Sequence, residues 1–384
     1  MATEADLVGP ARQAAAEPGT SFDATPTDEQ RMLVEAVRDF AHRACRPAAR
    51  SADEACSAPE ELLATAVELG VGALGIPERH GGVLEQRSTV TAALVAEALA
   101  EGDMGIALAC LAPGSVATAL GLWGDADQQA AYLPAFAGDA PPVAAIALAE
   151  PRVLFDPLAP DTAATRTPSG DFVLRGDKSL VPRAAEAELL LVAATLDGAP
   201  SLFLIESGAA GLTVTPEPAM GVRAAATARV SLEDVLLPAT ALLGNSDPQV
   251  YRELVALGRI GWSALAAGTG QAVLDYVSAY VNQRFAFGEP ISHRQSVAFM
   301  VANIAIELES LRLVTLRAAG LAETGREFTR EAAIARALAS RHAMQIGSDG
   351  VQLLGGHGYT KEHPVERWYR DLRAAGMLEG ALIL

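Results

Sequence analysis

Apolar positions first fall into a helical rhythm at "TPTDEQRMLVEAVRDFAHRACRP", where Met32, Leu33, Ala36, Val37, Phe40 and Ala41 recur at three- and four-residue spacing and line one face. Thr27 followed by Gln30 matches a capping box, so a helix is expected to begin there. It is expected to stop near Pro47, which has no N–H to continue it. Helical spacing persists to about residue 140, with turns forced by Gly and Pro at "GIPERHGG" and "LAPGS". Residues 1–24, rich in Ala, Gly, Pro and Glu without a period, read as a flexible leader.

Between about residues 141 and 243 the period shortens. "DFVLRGDKSLV", "ELLLVAAT", "SLFLIES", "GLTVTPE" and "ARVSLEDVLL" are short β-rich runs separated by Gly, Pro, Asp and Ser, as in an antiparallel barrel or sandwich. From 244 onward helical periodicity returns in long stretches with Ala-rich faces suited to close packing, as in a four-helix bundle. The expected fold class is α+β multi-domain: a helical domain over 25–140, a β domain over 141–243 and a helical bundle over 244–384.

Composition narrows the function classes. The 384 residues are half hydrophobic and carry a formal charge of −18, with a pI near 4.8, so general disorder and a polyphosphate partner such as nucleic acid are both disfavoured. Apolar runs such as "ELLLVAATLDGAPSLFLI" break before the ~20 residues of a membrane helix, so no span is expected. The first residues show no export signal, and a cytoplasmic location follows by default. Cys45, Cys56 and Cys110 are too few and too irregular for a disulfide framework. The six histidines lack ligand spacing, His357 and His363 included, and no metal is expected. One carboxylate stands out. Glu379 sits in the apolar ending "MLEGALIL", where desolvation would raise its pKa, making it a proton acceptor or merely an awkward surface residue.

"GIPERHGG", "RGDKSLV", "VSLEDVLLPATALLG", "RFAFGEPISHRQ", "VQLLGGHGY", "PVERWYRDLR" and "LEG" occur in this order. With them, from about residue 27 to its last residue, the chain resembles the acyl-CoA dehydrogenase family. The resemblance implies two helical regions around a β domain, with FAD at their junction, an acyl-CoA thioester as substrate and an electron-transfer flavoprotein or similar acceptor as partner. Desaturating a thioester needs a base for the α-proton and an acceptor for the β-hydride, and no amino acid accepts hydride. In the family the base is a Glu in a short C-terminal word, matched here by Glu379. Some relatives carry it just before an Arg that matches Arg259, but the residue there is Gly258.

"RFAFG" and "QLLGGHG" resemble family words lent across a subunit interface to a neighbour's FAD. Arg284, Phe287 and Gln295, then Gln352, Gly355 and Gly356, are the matching positions. A dimer or tetramer, homomeric or heteromeric, is implied.

The chain's own flavin-facing loops depart from the pattern. Leu148 and Ala149 precede "EPRVLFDP", where Ala149 replaces a Thr, Val153 and Leu154 replace small residues, and Phe155 replaces a Ser. Leu180 and Pro182 occupy the second loop, and Pro182 has neither the hydroxyl nor the N–H the family offers the flavin. Leu378 and Ala381 replace the polar neighbours of the base. Arg370–Asp371 is expected to be a structural ion pair, and Arg152, Arg166 and Arg183 solvated charges. Family members usually continue into a further helix, so this ending is expected to leave the base loop mobile or to expose it to a partner. Three functions fit: an FAD-dependent dehydrogenase, a flavin-poor partner subunit lending Arg284 and Gln352 to another chain's FAD, or an acyl-CoA oxidase.

Overall fold

The structure, a computed structural model, describes residues 25–82, 84 and 87–384; the leader expected over residues 1–24 lies outside them. Helix α1 (Asp28–Phe40) begins on the expected capping box, with Thr27 Oγ1 accepting from Gln30 N at 3.2 Å and Gln30 Oε1 from Thr27 N at 2.9 Å. Pro47 does not end this helix. A wide π turn over Ala41–Cys45 leads into α2 (Arg46–Ala55), and that turn absorbs the proline's missing donor at the first residues of α2.

Helices α3 (Glu60–Glu68), α4 (Thr89–Ala100), α5 (Met104–Trp123) and α6 (Ala126–Phe136) complete the first layer. The expectation that apolar runs stay too short for a membrane helix missed α5, which at 20 residues is long and apolar enough by length and composition. It is mostly buried as the central helix of this layer, hydrophobic all round because neighbours cover it on every side.

The sheet follows: β1 (Ala144–Ala147), β2 (Ala163–Arg166), β3 (Phe172–Val181), β4 (Leu189–Leu196), β5 (Ala199–Glu206), β6 (Leu212–Pro216), β7 (Ala228–Leu237) and β8 (Leu242–Leu243). Its order is β6-β7-β3-β2-β4-β5-β8, with β1 beside β4. Most ladders are antiparallel, whereas β4 pairs in parallel with both β1 and β2. Leu189, Leu191 and Ala193 of β4 join the helical core, while Leu190, Val192 and Ala194 join a second core on the far face. Burial on both faces explains why this strand reads as a continuous apolar run rather than an alternating one.

Helix α7 (Pro248–Gln283) spans 36 residues and starts on Pro248 behind the Asp247 cap. A short hairpin, β9 (Phe285–Ala286) and β10 (Glu289–Pro290), then leads to α8 (Gln295–Glu323), α9 (Thr329–Leu353) and α10 (Val365–Met377). A Cβ on Gly268 would fall 2.0 Å from the Glu97 carbonyl, so α7 and α4 pack backbone to backbone only because that residue is glycine. Contacts of Gly270 with Ile346 and of Gly350 with Val273 show α7 and α9 running in the same direction.

Candidate active site

Glu379 lies just past α10, where the chain turns back between α7, α9 and the end of β1. Its carboxylate is not in apolar surroundings. Oε2 receives Arg259 Nε of α7 at 3.4 Å, and Oε1 lies 3.4 Å from Arg336 Nε of α9. Arg336 also donates to the Leu378 carbonyl at 2.6 Å, while its Nη1 is buried without a partner. Burial pushes the Arg336 guanidinium below its usual pKa, and Glu379 opposes that shift. The Glu379 backbone N–H donates to no protein acceptor among the described residues.

Glycines bring this loop in. Gly258 faces it: a Cβ there would lie 3.2 Å from the Leu382 carbonyl and 3.5 Å from Gly380 Cα, so a residue with a side chain at 258 would push the loop away. Gly380 has φ +67° and would, with a Cβ, approach Leu148 Cβ to 2.7 Å. Trp262 Nε1 of α7 clamps the same residue by donating to its carbonyl at 2.8 Å. Leu148 and Glu379 are thereby brought to one place, with only Gly380 between them.

Ala149, Leu180 and Pro182 adjoin it. The Ala149 carbonyl accepts from Ser179 N at 2.9 Å, and Leu180, at φ +54°, donates its N–H to Glu217 at 2.7 Å. Beneath them Lys178, fully buried, binds Glu150 Oε1 at 2.8 Å and the Leu148 carbonyl at 3.3 Å. Burial pushes the Lys178 pKa down to about 8, against the pull of Glu150. Glu150 in turn accepts from Asp161 N, Thr162 N and Thr162 Oγ1 at 2.7–2.8 Å, which fixes the 150–162 loop. Val153 and Leu154 point to solvent, and Phe155 folds under the Arg152 guanidinium.

The remaining predicted residues gather elsewhere. Arg284, Phe287 and Gln295 surround the β9–β10 hairpin, and Gln352, Gly355 and Gly356 close α9; all six are exposed. Arg259 and Arg284 are 25 residues apart, so this second group lies about 37 Å along α7 from Glu379, at the other end of the bundle. Among the described residues Arg284 makes no side-chain hydrogen bond or ion pair, and a Cβ on Gly355 or Gly356 would meet nothing within 4 Å. The group thus offers an open guanidinium beside bare backbone. On the near side, Ala149 and Pro182 offer no hydroxyl.

Several expectations change. Arg370 pairs with Asp53 at 2.8 and 2.9 Å and with Glu366, not with Asp371, which instead accepts from Val222 N at 2.6 Å. Arg152, Arg166 and Arg183 are not free in solvent: Arg152 holds Asp161 at 2.6 Å, Arg166 stacks on Phe172, and Arg183 holds Glu186 at 2.8 Å. The ending does not leave the Glu379 loop loose, since Leu382, Ile383 and Leu384 are all buried. His357, Glu362 and His363, far from helical spacing, have potential ligand atoms within 4.8 Å of one another because the chain winds around Gly358. Sequence reading passed over Arg336, although a lone charge among Ala332, Ala335, Ala339 and Ala343 on a buried face was its signal.

A half-buried carboxylate held by two arginines thus lies where the helical bundle meets the sheet, with a second group of exposed residues at the far end of α7. Three family models match the chain: acyl-CoA dehydrogenase N-terminal domain over residues 27–139, middle domain over 145–235 and C-terminal domain over 249–382. A Bacillus subtilis protein named "Probable acyl-CoA dehydrogenase" is 35% identical over 367 residues, covering 92% of this chain and 95% of its own. The solved butyryl-CoA dehydrogenase of Megasphaera elsdenii superposes with a TM-score of 0.86 at 29% identity, covering 94% and 96% of the two chains. An acyl-CoA dehydrogenase of Bacillus anthracis solved with FAD gives a TM-score of 0.82 at 26% identity, covering 93% of this chain and 65% of that one. The chain belongs to the acyl-CoA dehydrogenase family, FAD-dependent oxidoreductases that act on CH–CH bonds of acyl-CoA thioesters.

Proposed function

We propose that this chain catalyses α,β-dehydrogenation of an acyl-CoA thioester, with Glu379 as the base for the α-proton. The observation that carries this is the clamped Glu379 loop. Arg259 and Arg336 orient the carboxylate, Trp262 holds Gly380, and Gly258 lets the loop lie close against α7. When bound, FAD supplies the hydride acceptor for the β-carbon. The unpaired Glu379 N–H is placed to donate to the thioester oxygen, which gains charge as the α-proton leaves. Arg284, Gln295 and Gln352 would hold the diphosphate end of a neighbouring chain's FAD, with Phe287 and the bare backbone of Gly355 and Gly356 beside its adenosine. An electron-transfer flavoprotein is the expected acceptor.

Glu379→Gln keeps the shape of the loop and removes the base. It is expected to slow acyl-CoA-dependent α-proton exchange with deuterated solvent by at least about 100-fold, and unchanged exchange would remove Glu379 from the mechanism.

The lack of a hydroxyl at Ala149 and Pro182 favours a second function, a partner subunit whose own flavin position is weak. Persistent failure of the isolated chain to take up FAD, with uptake restored by a sequence-related chain, would select it.

A further inference from the structure

The interior beyond Glu379 is filled by the protein's own chain. Gly380 and Ala381, both at φ +67°, turn the backbone inward, and Leu382, Ile383 and Leu384 are 1%, 2% and 5% exposed. Leu382 rests on the bare face of α7, where a Cβ on Gly261 would come 3.0 Å from its Cγ. On the opposite wall Ser115 of α5 reads the backbone of Ile383, accepting its N–H at 3.0 Å and donating to its carbonyl at 3.3 Å. Arg87 donates to the Leu384 carbonyl. Around these three residues Val71, Leu74, Leu111 and Thr118 leave a cavity of about 20 Å³, room for little more than one water.

The apolar packing that continues from Glu379 belongs to the residues that follow it, 381–384, in the helical core. Arg259 and Arg336 wall one side with charge, and Leu148 closes the sheet side. The lane left runs between α5 and α7, which is the lane that Leu382–Leu384 takes. Ser115 and Arg87 bind the segment through its backbone, so it is seated by polar contacts as well as by packing.

We propose that Leu382–Leu384 is a built-in occupant of the acyl slot and limits the enzyme to short acyl groups, of the propionyl to butyryl class. This rests on Glu379 being the base, as proposed above. A longer acyl chain would have to displace buried leucine side chains and break both Ser115 bonds.

The test is calorimetric binding of CoA, butyryl-CoA and octanoyl-CoA to the full chain, purified with FAD present. Butyryl-CoA is expected to bind at least about tenfold more tightly than octanoyl-CoA. In Leu382→Ala/Leu384→Ala that preference is expected to fall by about tenfold or reverse. Ser115→Ala, which frees Ile383 without opening a large cavity, is expected to move the ratio the same way and serves if the double variant does not fold. Octanoyl-CoA binding to the unaltered protein as tightly as butyryl-CoA would overturn the slot assignment while leaving the acyl-CoA function standing. No binding of either thioester would instead remove the acyl-CoA function itself, and the slot assignment with it.

Discussion

At the scale of single residues, one buried charge pair underlies the sheet side of the site. Lys178 is inaccessible, its pKa lowered to about 8 by burial, yet it is still protonated at neutral pH and bound to Glu150 and the Leu148 carbonyl. Removing one partner of a buried pair leaves the other uncompensated. Lys178→Met is therefore expected to lower unfolding stability by about 3 kcal/mol, read as a drop in the denaturant midpoint; an unchanged midpoint would show the pair to be dispensable. Glu379 was legible in the sequence because a charge in an apolar ending is conspicuous. Its surroundings were not. Arg259 and Arg336 both lie more than 40 residues before Glu379 in sequence, and only the fold brings both to one carboxylate.

Among the elements, the contact of α10 with α5 is built on two acids sharing a neighbourhood. Asp103 caps α5 through Ile106 N at 3.0 Å and binds Arg367 Nε at 3.1 Å, while Asp371 accepts from Val222 N. Burial and the nearness of Asp103 push Asp371 up to about 8, and burial raises Asp103 as well, against Arg367. A carboxyl whose folded pKa is raised stabilises most below its unfolded value, and that stability is lost as pH rises through the folded value. Stability is thus expected to decline between about pH 4 and pH 8. Asp371→Asn, which keeps the acceptor for Val222, is expected to flatten the decline in denaturant midpoints. A slope unchanged in the variant would assign it to other groups. Element types were readable from periodicity because the amphipathic face of α1 and the short strands follow simple repeats. Periodicity told less where burial is complete. The almost wholly apolar α5 and the doubly covered β4, although expected as helix and strand, have no polar face to show which side meets the core, and Pro47 was tolerated because a π turn precedes it.

Across the whole molecule, the two groups of predicted site residues sit at opposite ends of α7, as the proposed sharing of a cofactor between two chains requires. Phe299, Ile306 and Leu313 recur every seven residues along α8 and are 60%, 64% and 50% exposed; beside them Phe287 is 92% exposed. Such a stripe on a protein with a large formed core marks an association surface. Phe299→Glu/Ile306→Glu is expected to halve the mass seen by light scattering and to release FAD together with it; dissociation with full FAD retention would mean that each chain holds its cofactor alone. The family words were legible at both ends of the bundle, and the resemblance already implied that they serve different chains; the distance between them was not legible, because sequence carries order and not distance. The central claim, an acyl-CoA dehydrogenase with Glu379 as its base, is tested most directly by anaerobic titration of the FAD-supplemented protein with butyryl-CoA while the flavin absorbance is followed. The account predicts about one flavin per chain, bleached by substrate in the unaltered protein and not in Glu379→Gln. A protein that stays colourless after adding FAD, or a Glu379→Gln variant that bleaches as fast as the unaltered chain, would contradict it.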